Sequence, residues 1–236
     1  MSGGVVKNWP ERPHPERGDT AALAPCGHEG RENGRENGHD NTPPLPGWFG
    51  KLPGMGDFAH RRLPAPFREQ WDCWLQNGLA GLHARHADDW TAHYLESPLW
   101  CFALGPDTID AKAWIGVLMP SVDGAGRYFP FMLASEFDAR VDAAAWWACA
   151  AGAALEALEA DLDPERFEAL LARRFSPAGA PGDAAPPLRG QSLWRAARED
   201  GGNLQFALAG LPRDTQFDAL FGFVPAAQPY LQDPPP

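Results

Sequence analysis

The chain has 236 residues, 44% of them apolar and 11% aromatic, which is enough to bury one substantial core. Its formal net charge of −11 argues against a nucleic-acid partner, whose phosphates call for a Lys/Arg surface. No apolar run approaches the roughly 20 residues that span a bilayer, and the N-terminus lacks the hydrophobic core of a secretory leader. A cytoplasmic protein without membrane insertion is therefore expected.

Residues 1–46 are rich in Pro, Gly, Glu, Arg and Asn, and Gly30-Arg31-Glu32-Asn33 repeats at once as Gly34-Arg35-Glu36-Asn37. Such a segment buries too little apolar area to offset its ordering entropy, so a disordered tail is predicted. His14, His28 and His39 are scattered in it with nothing to hold them in register. Cys26, Cys73, Cys101 and Cys149 lie far apart without a CxxC pair, which predicts free buried thiols rather than a disulfide or zinc site.

The folded domain is predicted over residues 47–222. It opens with Gly47-Trp48-Phe49-Gly50-Lys51-Leu52-Pro53-Gly54-Met55-Gly56-Asp57-Phe58. Trp48–Lys51 reads as a short strand, and Gly54 and Gly56 make the next turn permissive. A Lys beside glycines invites a phosphate-loop reading, but the Walker pattern places its Lys after the glycines, so a tight structural turn is the better account. Pro66 then opens a helix over 66–85. Phe67, Trp71, Trp74, Leu75, Gly78 and Leu82 share one face of it at a 3.6-residue period. Asp88 or Asp89 caps a shorter helix carrying Trp90 and Tyr94. His83, His86 and His93 lack the HxxxH-with-Glu spacing of a metalloprotease and read as helix-end histidines.

Leu99–Leu104 is a nearly continuous apolar run bounded by Pro98 and Gly105, the pattern of a strand buried on both faces. Trp114–Leu133 holds two apolar runs, 114–119 and 128–134, joined through Asp123-Gly124, a strong turn signal. They are predicted as adjacent antiparallel strands at the centre of a sheet, with Pro120 and Pro130 at strand ends or a bulge. Short connections make the three strands a meander. Asp142 caps a helix over 142–161 with Trp147, Ala151, Ala154, Leu155, Leu158 and Leu162 on one face. Asp163-Pro164 restarts a shorter helix carrying Phe167, Leu170 and Leu171. Residues 176–189 read as a mobile loop. Two strands follow at 193–194 and 204–208, then a helical turn near Asp214 with Phe217, Leu220 and Phe221, and a tail over 223–236. The expected fold is a single α/β domain, a largely antiparallel sheet covered by helices, comparable to small profilin- or longin-like folds. Trp71 and Trp147 are both expected in its core.

Catalytic signatures are sparse. Ser121 has no GxSxG elbow and no His placed as its base, and no Cys carries a nucleophile signature. Asp57, Asp123 and Arg127 meet if the two glycine-bearing loops lie side by side, with Lys51 and Arg61 flanking them. Such a cluster either binds a ligand or braces two turns as an ion pair, and bracing is the favoured account. No cofactor, metal or enzymatic activity is expected; the alternative is a small ligand-binding or hydrolytic domain built on Asp57, Asp123 and Arg127.

The segments GWFGKLPGMGDF (47–58), W-D-x-W-L (Trp71 to Leu75) and GVLMPSVDGAGRYFPFML (116–133) together resemble the TagF/ImpM family of type VI secretion accessory proteins. Ser192–Trp194 and Ala209–Pro212 fit it more loosely, and Arg195 stands where a second Trp is expected. The resemblance implies a cytoplasmic, post-translational negative regulator of secretion. It also implies a forkhead-associated scaffold protein as partner and, as a separate chain, a Ser/Thr phosphatase. On this reading Lys51, Asp57, Arg61, Ser121, Asp123 and Arg127 form the candidate interaction site, because recognition groups tend to sit on loops held by a rigid sheet.

Overall fold

The computed structural model describes residues 45–52, 54, 58–124, 126–138, 141–175, 184–197 and 203–223. In chain order these form β1 (Gly47–Lys51), β2 (Phe58–Arg61), α1 (Ala65–Arg85), α2 (Trp90–Leu95), β3 (Trp100–Leu104), β4 (Trp114–Met119) and β5 (Phe131–Glu136). They continue as α3 (Ala143–Glu159), α4 (Pro164–Arg174), β6 (Gln191–Ala197), β7 (Asn203–Ala209) and α5 (Thr215–Leu220). The strands make one seven-stranded sheet in the order β2-β1-β5-β4-β3-β6-β7. Every neighbouring pair is antiparallel.

β4 has the bounds read from the sequence and lies in the middle of the sheet, paired with β5 from Trp114↔Glu136 to Met119↔Phe131. β5 starts three residues later than expected. Pro130 has no N–H to give a ladder, and Tyr128 is taken up by a single bridge to Val122 inside the turn. β2 was not expected at all, because only Ala59 of its four residues is buried.

Side-chain alternation sends two sets of residues to opposite faces. Phe102, Leu104, Trp114, Leu118 and Trp194 meet Phe67, Trp71, Leu75 and Leu82 of α1, Tyr94 of α2, and Phe217 and Leu220 of α5. On the other face Val117, Met119, Phe131 and Leu133 meet α3 and α4. The α1 stripe is as predicted, with Trp74 half-buried. α3 differs. Its buried residues are Ala143, Ala150, Ala153, Ala154 and Ala157, while Leu155 is 44% exposed and Trp147 is half-buried. Asp142 and Asp163 cap α3 and α4 as expected, accepting from the backbone N–H of Ala145 and Arg166. Cys73, Cys101 and Cys149 are free thiols, but partly rather than fully buried. Among the described residues no helix is long and apolar enough to cross a membrane.

The expected tail over 1–46 and loop over 176–189 fall mostly outside the described residues. Pro46 is buried, however, and its carbonyl accepts from Arg62 Nε at 3.1 Å and from a second guanidinium nitrogen at 2.9 Å. We expect removal of residues 1–44 to leave the thermal midpoint within about 2 °C, since termini that bury little are dispensable. A drop of many degrees in a melt of the truncated chain would show that the segment packs.

Candidate functional site

The motif residues gather where β1 ends beside the β4–β5 connection. Gly50 makes this approach possible: its φ is +127°, and a Cβ there would lie 2.2 Å from the carbonyl oxygen of Pro130. Only glycine lets β1 run that close, which carries Lys51 against residues 121–129. That connection is a tight turn. Gly126 N–H donates to Asp123 O at 2.8 Å, Asp123 N–H to Arg127 O at 3.1 Å, and Phe129 N–H to Ser121 O at 3.1 Å. Gly126 takes the left-handed φ of +76° that such a turn demands.

Asp123 sits at its centre. Its Oδ1 accepts from the Arg127 backbone N–H at 2.9 Å. Its Oδ2 accepts from Lys51 Nζ and from Arg127 Nε, each at 2.8 Å. Asp123 is 4% exposed and Lys51 3%, whereas the Arg127 side chain is 43% exposed. Burial pushes the Asp123 carboxyl up, but the Lys51 and Arg127 hydrogen bonds outweigh it and hold it at about 2. Lys51 Nζ also lies 5.1 Å from the centroid of the Phe58 ring, a cation–π distance. Phe58 is 47% exposed and packs edge-on against Phe129 at 4.6 Å.

Ser121 locks the opposite side. Its Oγ donates to Lys51 O at 2.7 Å, its backbone N–H donates to Tyr94 Oη at 3.0 Å, and Tyr94 Oη donates to Ser121 O at 3.0 Å. Burial pushes the Tyr94 phenol far up, so it stays neutral and serves as a structural donor. Ser121 and Asp123 are thus held in contacts with β1, α2 and their own turn, an arrangement that suits bracing better than proton or acyl transfer.

The structure brings Lys51, Ser121, Asp123 and Arg127 together. Arg61 stands apart: it pairs with Trp48 while Lys51 pairs with Phe58, and its guanidinium lies 5.8 Å from the Trp48 ring. Asp57 lies outside the described residues. Sequence reasoning missed Tyr94, whose role depends on α2 docking beneath the turn, and Phe58, which the spacing alone left as the end of a glycine loop. Of the three histidines, His86 Nε2 lies 3.1 Å from the buried Asp218, His93 3.5 Å from Asp89, and His83 packs its ring on Trp90. Among the described residues no three His, Cys, Asp or Glu side chains converge as metal ligands would.

The family model described as the TagF N-terminal domain, type VI secretion system-associated, matches residues 47–173. Among solved structures the chain is similar to PA0076 from Pseudomonas aeruginosa PAO1, with 30% sequence identity and a TM-score of 0.65. That match covers 80% of this chain and all of the other. No curated protein sequence matches.

Proposed function

The chain belongs to the type VI secretion-associated family defined by the TagF N-terminal domain, and from that premise we propose that it is a non-enzymatic negative regulator of secretion. It acts in the cytoplasm, after translation, by binding another protein. The favoured partner is the forkhead-associated scaffold of the secretion system, with a Ser/Thr phosphatase as a separate chain in the same circuit.

One observation supports a binding role over a catalytic one. The polar groups of the family motif are engaged inward, with both Asp123 oxygens and the Ser121 hydroxyl accepting from or donating to neighbouring strands and turns. Outward, the braced turn offers the Arg127 guanidinium, and the half-exposed Phe58 ring of β2 is tied to it through Lys51 and Asp123. A charged rim next to an aromatic anchor is a common composition for a protein interface. The hydrolytic alternative needs an Asp123 carboxylate available to substrate, and that carboxylate is saturated by Lys51 and Arg127.

A Phe58→Ala/Arg127→Ala double variant is expected to weaken scaffold binding in vitro by about tenfold or more and to release secretion in cells while remaining folded. Binding and repression equal to those of the unmodified chain would remove this face from consideration. Failure of the unmodified chain to bind the scaffold would count against the scaffold as partner.

A further inference from the structure

The two edges of the sheet are built differently. β2 is four residues long and carries the exposed side chains of His60 and Arg61, features that discourage another strand from pairing there. β7 runs for seven residues, Asn-Leu-Gln-Phe-Ala-Leu-Ala, without a charge or a proline. The uncharged run continues to Pro212, in a chain whose net charge is −11.

The hydrogen-bond parity of β7 follows from the register. Gly210 N–H donates to Gly190 O, and Gly105 N–H donates to Gln191 O. Even-numbered residues of β6 and β7 therefore bond each other, odd-numbered residues of β6 bond β3, and odd-numbered residues of β7 point their N–H and C=O groups outward. Leu204, Phe206 and Leu208 turn their side chains into the core on the α1 face. Gln205, Ala207 and Ala209 are exposed. Beside them on the α3 face lies a groove lined by Trp147, Leu193, Arg195 and Ala207. Among the described residues no strand pairs with the outer edge of β7.

We infer that β7 is a self-association edge, and that its occupant is β7 of a second copy of this chain. An antiparallel pair with its two-fold axis at Ala207 sets Ala207 against its own copy and Gln205 against Ala209. The ladder runs over Gln205 to Ala209 of each copy, and every opposed position in it is uncharged. Two chains that repel elsewhere through their net charge meet here without like charges face to face. The interface is isologous and closes at two copies, giving one sheet across both. A ladder with small side chains buries less than an obligate interface, so the dimer forms and dissociates with concentration.

Sedimentation of the full chain from about 1 to 200 μM is expected to show a monomer–dimer equilibrium, in the micromolar range suited to an interface of this size. Ala207→Pro removes an N–H that the monomer does not use, so it should raise the dissociation constant at least about tenfold with an unchanged melt. Gln205→Lys, a charge on the exposed edge, should do the same without touching the backbone. Ala207→Cys should cross-link to its own copy on mild oxidation, because directly opposed residues of a hydrogen-bonded pair lie about 5.5 Å apart between Cα atoms. Peptide mapping would place the bond at position 207. A chain that stays monomeric across the range overturns the inference, as does a dimer indifferent to both edge variants. A monomer whose Ala207→Pro variant loses a heterologous partner also overturns it, and assigns the edge to a foreign strand.

Discussion

Trp71→Ala is expected to cost about 3–5 kcal/mol of folding stability, the range for deleting a large side chain from a packed core. Trp71 is 0% exposed. Its ring stacks on Phe67 at 5.7 Å and on Phe102 at 4.9 Å, and tilts against Trp74 at 4.7 Å, so it joins α1 to the middle of the sheet. Truncation would empty a site whose walls belong to two different layers and collapse poorly. Trp71→Phe should cost far less, about 1–2 kcal/mol, because the Trp71 indole N–H is buried without a hydrogen-bond partner among the described residues, and its loss removes a liability along with the contacts. Trp147→Ala should also fall below the Trp71 value. Trp147 is half-buried, and its N–H donates at the sheet surface to Phe102 O at 3.3 Å and Gly116 O at 3.1 Å. Urea melts of the three variants test the ranking. A cost below about 1 kcal/mol for Trp71→Ala would place that ring outside the core.

α1 and β4 were legible in the sequence because size and period agree in them. Large apolar residues recur at helical spacing on α1, and β4 is apolar throughout at the middle of a meander. α3 was legible only in part. Of its expected face, Trp147, Ala151, Ala154, Leu158 and Leu162 do pack on the core, but Leu155 is exposed and the fully buried positions are all alanines. The space between α3 and the sheet is already filled by Val117, Met119, Phe131, Leu133 and Phe167. Close approach leaves room only for small side chains there; the alanines and Gly152 do mark a thin side in the sequence, but which of them meet the sheet is set by the opposite layer.

The site divides in the same way. The Asp123-Gly124 turn is a local signal and could be read from residue types. The partner that fixes Asp123 is not local: Lys51 is 72 residues away and reaches it only because β1 pairs with β5. Arg61 shows the converse. Its nearness in sequence to the glycine loop suggested membership, but antiparallel pairing of β1 with β2 sends it to the far end of the hairpin. Residues grouped by motif proximity were thus sorted by strand register into a buried brace and an outlying surface charge.

The brace predicts the second large effect. Asp123→Leu alone is expected to destabilise by about 3–5 kcal/mol, because it leaves the buried Lys51 ammonium without its counter-charge, and Lys51→Met by less, because Asp123 keeps Arg127. The double variant Lys51→Met/Asp123→Leu should cost much less than the sum, since no uncompensated ammonium remains and Arg127 is exposed enough to be hydrated. The same pair sets a pH dependence. The Asp123 carboxyl titrates at about 2 in the folded chain against an ordinary value of 3.8. A depressed carboxylate contributes stability that is fully present above the unfolded value and is lost as pH falls through the folded one. Stability should therefore decline by about 2 kcal/mol from this group alone between about pH 4 and pH 2. Asp123→Asn should flatten that part of the profile while lowering stability at neutral pH. Denaturant melts of the unmodified chain and of the Asp123→Asn variant, taken at steps from pH 7 to pH 2, read the difference. Parallel profiles, or a neutral-pH loss below about 1 kcal/mol, would show that the Lys51–Asp123 pair does not hold the turn.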